Sequence, residues 1–150
     1  MSITFLRHKN NSKAMLGDQI GEDKGKITSQ RVLDVVNGVP KIETSMSTIG
    51  KYKGVETTEI ATYWASPGPD GVMRGEGQGV VTTKDGSEMA AWTGQGIGRF
   101  TSQGKIRFVG SLLFSTSSNG KLAFFNNLVG VFEFEADEQG NTSTKVWEWK

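Results

Sequence analysis

Gly75-Glu76-Gly77-Gln78-Gly79-Val80-Val81-Thr82-Thr83-Lys84-Asp85-Gly86-Ser87-Glu88-Met89-Ala90-Ala91-Trp92-Thr93-Gly94-Gln95-Gly96-Ile97-Gly98 decides the fold. It contains two runs of alternating glycine on either side of an Asp-Gly turn signal. Side chains alternate faces along a strand, so each run puts its glycines on one face. A two-residue hairpin at Asp85-Gly86 sets Lys84 opposite Ser87, and counting back pairs Gly77 with Gly94, Gly75 with Gly96 and Gly79 with Trp92. A three-residue turn at Ser102-Gln103-Gly104 then pairs Phe100 with Ile106 and Gly98 with Phe108. The glycine face therefore continues into Ile106, Phe108, Leu112 and Phe114. The steric explanation is that the glycines leave room for rings from neighbouring strands and ease the coiling that a barrel demands. The functional alternative is that the bare patch lets a ligand or another backbone approach closely.

Working outward, extended segments alternate with turn signals at a nearly regular pitch. They span 26–36, ending at Asn37-Gly38; 41–49, ending near Gly50 and Gly54; 55–65, ending at Pro67-Gly68-Pro69-Asp70-Gly71; and 72–83. They continue over 88–101, 105–117 (ending at Asn119-Gly120), 121–135 and 142–150. Residues 1–23 are polar and without a sustained period, and read as an irregular arm with an edge strand at Ile3–Leu6, ahead of a domain over 24–150. Tight turns join antiparallel neighbours, since parallel ones need a long crossover. The expected fold is an all-β, up-and-down meander of about eight strands closed into a small barrel, because closure removes both exposed edges. A two-layer sandwich is the alternative.

Composition bounds the function. The 150 residues suit one domain. A net charge of +1, with Lys and Arg spread along the chain, gives no footprint for nucleic acid or an acidic membrane surface. With no cysteine and one histidine, His8, thiol chemistry, zinc or copper sites and histidine-based triads lack their parts. No cofactor is expected. The absence of cysteine, of a signal-peptide pattern and of a membrane-length apolar run leads to the expectation of a cytoplasmic chain that makes no membrane contact. The glycosylation sequons at Asn10 and Asn141 are then chance matches.

Which face points inward is open, so candidate ligand-lining residues come from both: Tyr63, Trp64, Glu76, Trp92, Gln95, Asn126, Asn127 and Phe132. Asn126 and Asn127 draw notice because mid-strand asparagine is disfavoured. Glu43, Glu59, Glu76 and Glu133 lie in strands. A carboxylate turned inward would gain a raised pKa and acid–base capacity, whereas an outward one would pair with Arg31, Arg74 or Arg99. On β-strands four to six the face opposite the glycines mixes Arg74, Glu76, Gln78, Thr93, Gln95, Arg99 and Arg107 with Val80, Ala91, Ile97, Val109 and Leu113. That mixture suits a subunit contact, and a homo-oligomer, dimer or trimer, is expected.

The segments Gly25–Leu33, Thr62-Tyr63-Trp64, Asp70-Gly71, Gly75–Gly79, Ala91–Gly96, Gly130-Val131-Phe132-Glu133 and Trp147-Glu148-Trp149 together resemble an uncharacterised family of small prokaryotic proteins. The strand pattern is more distantly similar to the allene-oxide-cyclase type of barrel. That resemblance implies an apolar cavity and a dimer or trimer, and it transfers no catalytic residue. Three functions are expected to compete: a barrel binding a small apolar or amphipathic ligand, a cofactor-free isomerase or cyclase using a buried Glu, and an interaction module with a filled core.

Overall fold

The computed structural model describes residues 16–150. Eight antiparallel strands close into one barrel in chain order: β1 (Leu16–Val36), β2 (Val39–Tyr52), β3 (Val55–Pro67), β4 (Met73–Thr83), β5 (Met89–Phe100), β6 (Ile106–Ser115), β7 (Leu128–Ala136) and β8 (Asn141–Trp149). β8 returns to β1, from Leu16 opposite Trp149 to Lys26 opposite Asn141, and leaves no open sandwich edge. His8 and the strand expected at Ile3–Leu6 lie outside the described residues. The arm expected up to residue 23 is already strand from Leu16, and Ile20, Gly21 and Asp23 are buried. Its polar composition hid this, because Gly17, Asp18, Gln19 and Glu22 mask the alternation that Ile20 begins.

The central register is as the alternating glycines require: Gly77 faces Gly94, Gly75 faces Gly96, Gly79 faces Trp92, and Gly98 faces Phe108. The turn that sets it is longer than a two-residue hairpin. Thr83 N–H bonds to Glu88 O and Gly86 N–H to Thr83 O, so Lys84–Ser87 form a four-residue loop. The Asp85 carboxylate accepts from Thr83 Oγ1, Ser87 Oγ and Ser87 N–H, which holds its pKa below the usual range. Lengthening a loop by one residue on each side keeps every pair beyond it, and so the register survives.

The glycines face inward, and the steric explanation accounts for them. A Cβ on Gly79 would lie 2.4 Å from the Trp92 indole, one on Gly98 2.6 Å from the Phe108 ring, and one on Gly94 2.6 Å from Leu112 Cδ2. Gly75 is the looser member: a Cβ there would lie 3.2 Å from Trp64 O and 3.3 Å from Ala65 Cβ. Gly75→Ala is therefore expected to change the unfolding free energy by less than about 1 kcal/mol in urea denaturation, since a small steric shift offsets the entropy removed from the unfolded chain.

Turns alternate between the two ends of the barrel. The end holding the β2–β3, β4–β5 and β6–β7 connections is plugged. There the chain leaves β6 at Ser115 and makes a short 3-10 turn at Ala123–Phe125 before β7, where a continuous strand from Lys121 was expected. Leu122 and Phe125 are fully buried, and Phe125 packs against Tyr52 and stacks on Phe114. Glu88 ties this plug down: its carboxylate accepts from Ser118 Oγ, Lys121 N–H (3.0 Å) and Leu122 N–H (3.2 Å). A second cluster, built on Met46, Ala61, Ala65, Phe108, Phe134 and Ala136, fills the other half of the barrel.

Candidate functional site

A cavity of about 70 Å³ lies in the barrel interior and touches both clusters. Its shape follows from the strand alternation. Rings and aliphatic chains (Tyr52, Tyr63, Trp92, Phe108, Phe132, Phe134, Met46 and Leu112) enter from several strands, and bare glycines at 75, 77, 94 and 96 leave part of the wall without side chains. Into this apolar space β3 delivers one carboxylate. Glu59 shares its strand face with Thr57, Ala61, Tyr63 and Ala65, and lies opposite Val81 and Thr48.

Glu59 is the chemical centre of the interior. It is 8% exposed, and Trp92 Nε1–H donates to its Oε1 at 2.6 Å. Asp23, 3% exposed on β1, stands beside it together with Thr48 and Thr144. These groups are close enough to act on the ionisation of Asp23, yet neither of its oxygens has a well-formed hydrogen bond, and Thr48 Oγ1 and Thr142 Oγ1 are likewise buried without one. Burial, then the charge of Asp23, pushes Glu59 well above the ordinary carboxylate range, while the Trp92 hydrogen bond works against the rise. Burial also raises Asp23, with the Glu59, Thr48 and Thr144 contacts opposing it. Two adjacent carboxyl groups out of water cannot both ionise cheaply, so the pair shares a proton. Tyr52 is pushed up by burial and by the two carboxylates, and Tyr63 by burial, so both phenols stay neutral donors. Among the described residues no three metal-ligating side chains cluster.

The structure separates the candidate lining residues. Tyr63, Trp92 and Phe132 line the cavity together. Glu76 and Gln95 sit between inward glycines, so their side chains are exposed on the outer face and only their strand segments border the cavity. Trp64 also faces outward, beside Lys41 and Arg74. Asn126 and Asn127 are exposed where the plug turns into β7, and Asn127 takes a positive φ of 55°, a backbone state that asparagine tolerates. Their place is explained by that turn rather than by a buried polar role. Of the strand carboxylates, Glu43 pairs with Arg31 and Glu133 with Arg107 at the surface. Asp23, Tyr52 and Thr144 escaped the sequence reading. Counting the register back across the Pro67–Gly71 turn would have placed Glu59 and Tyr63 on the glycine face.

No protein-family model matches the chain, and no curated protein matches its sequence. Solved structures do match its shape. A conserved protein of unknown function from Rhodopseudomonas palustris superposes with a TM-score of 0.72, covering 89% of this chain and 97% of that one at 12% identity. A protein of unknown function from Clostridium acetobutylicum gives a TM-score of 0.75, covering 90% and 97%, again at 12% identity. These likenesses establish a shared barrel fold. No helix among the described residues is long and apolar enough to cross a membrane.

Proposed function

We propose that the barrel binds a small, mostly apolar molecule in its interior and holds that molecule's single polar group at Glu59. The observation that carries this reading is a buried carboxyl, held by Trp92 and beside Asp23, facing a cavity whose other walls are almost entirely apolar. A protonated Glu59 donates to a carbonyl, hydroxyl or ether oxygen, and the tyrosine and tryptophan rings supply the flat apolar contact. The volume sets the size of the guest. At about 70 Å³ the space is far below the roughly 300 Å³ at which ordinary ligand pockets begin. A ketone or alcohol of about four or five heavy atoms suits it, since a benzene ring takes a cavity of roughly 150 Å³, and a ring or a fatty-acid chain does not fit without repacking of the surrounding side chains. The more distant likeness to allene-oxide-cyclase barrels supports an interior site, and the cysteine-free sequence supports a cytoplasmic setting.

Titration of the labelled protein with acetone, butanone and 2-propanol, followed by amide NMR, tests the proposal. Shifts are expected at Glu59, Ala61, Trp92 and Phe132. Ala61→Leu, which grows a side chain into the cavity, is expected to abolish them while the remaining spectrum stays folded. A panel that moves none of these resonances overturns the reading.

The Glu59–Asp23 pair favours one further use of the same site, a cofactor-free isomerase. A carboxylate able to exchange a proton with a neighbouring acid can take a proton from the carbon beside a bound carbonyl and return it elsewhere. Exchange of those carbon-bound hydrogens for deuterium in heavy water, lost in Glu59→Gln, is the expected signature. A bound ketone that never exchanges leaves a binding protein alone.

A further inference from the structure

The β1–β2 ribbon outruns the barrel. β1 pairs with β8 only as far as Lys26, and β2 pairs with β3 only from Ile42. From there to Val36 β1 pairs with β2 alone, while β2 keeps β3 on its other side until Ile42, so only the tip, from Asp34 opposite Lys41 to Val36 opposite Val39, has no third strand. The outer edge of β1 from Thr28 to Val36, roughly 30 Å at strand spacing, thus has no strand partner among the described residues, and the tip of the ribbon is free on both edges. An isolated two-stranded ribbon is marginal in water. This one is also apolar: Val32 is 61% exposed, Val35 57% and Val36 59%. Nothing in the interior site uses it.

We infer that the ribbon is the interface of a two-fold symmetric homodimer in which the free β1 edges of two copies pair antiparallel. The occupant follows from the order of charges. Arg31 lies opposite Glu43, with which it makes a 2.9 Å ion pair, and Asp34 lies opposite Lys41. Read along the β1 edge, the charges run positive and then negative. An antiparallel copy presents them in reverse, which sets Arg31 against Asp34 of the partner subunit and Asp34 against the partner's Arg31. The bulge between Val32 and Asp34 keeps Arg31 and Asp34 on one face of the ribbon and Val32 and Val35 on the other. The same pairing sets Val32 against its own copy on the two-fold axis and lays Val35 of each copy beside it on that face. A two-fold contact must be self-complementary in this way, and a free strand edge is a ready template for another strand.

Charge variants test the inference through sedimentation velocity of the whole chain. The native protein is expected to be a dimer. Asp34→Lys makes both charges of the edge positive and Arg31→Asp makes both negative, so each variant alone is expected to dimerise at least about tenfold more weakly. An equimolar mixture of the two variants is expected to form a heterodimer, with circular dichroism confirming that each barrel is folded. Three outcomes overturn the inference: a native protein that is monomeric at its highest soluble concentration, single variants that dimerise as well as the native chain, or a mixture that fails to pair.

Discussion

Gly110→Ala destabilises the barrel by about 3 kcal/mol or more, at the upper end of what overpacking costs, and is the most damaging alanine among the central glycines. Gly110 on β6 lies opposite Gly96 on β5, and both point inward. A Cβ on Gly110 would lie 1.9 Å from Gln95 O and 2.6 Å from Gly96 Cα. Both contacts are backbone, so no side chain can turn aside and the strands themselves must part. Loss of the β5–β6 pairing would also deform the glycine wall of the cavity. Urea denaturation of Gly110→Ala beside Gly75→Ala checks the argument, because the two sit on the same inner surface and differ in what their Cβ would meet. Equal stabilities would show that the clash relaxes freely.

Glu59→Ala is expected to cost about 3 kcal/mol near neutral pH, combining a cavity in the packed interior with an unpaired Trp92 Nε1–H. Glu59→Gln separates the proton from the packing. Its amide can still accept from Trp92 and donate toward Asp23, but it cannot ionise. In the unfolded chain Glu59 titrates near the ordinary value, about 4.3; in the barrel it keeps its proton to much higher pH. Between those limits the native state binds more protons than the unfolded one, so native stability falls as pH rises, by up to about 1.4 kcal/mol per pH unit. Asp23, also raised, adds to the fall in the same direction. Denaturation curves from pH 4 upward are expected to show this decline in the native protein and a much flatter line in Glu59→Gln, whose relative stability improves as pH rises. Parallel lines would mean that Glu59 is ionised in the folded state.

Strand order and register were legible because they rest on short-range chemistry. Alternating glycines and Asp-Gly, Asn-Gly and Gln-Gly turns fix partners over a few residues, and each pair then constrains the next. The start of β1 was not legible, since Asp23 and Gly21 are buried in a stretch whose composition looks solvated. The plug was missed for a related reason. Leu122, Phe124 and Phe125 carry strand-like side chains, and only the barrel's need to stop one end bends them into a 3-10 turn. Glu59 was visible as a strand carboxylate, but its inward direction depends on the five-residue connection before β4, and its proton depends on Asp23, which lies far away in sequence.

Closure between the first and last strands has a consequence for how the chain is made. β1 is synthesised before every other strand of the barrel, yet its barrel-side partner, β8, is the last of them to be made. Until that segment leaves the ribosome the ring stays open, and the nascent sheet carries unpaired edges on β1 and on the newest strand. Long-range pairing of this kind is slow and exposed to aggregation while it waits. Folding of this barrel is therefore expected to complete only once β8 is free to pair, and a chain cut short within β8 would retain strands it cannot close.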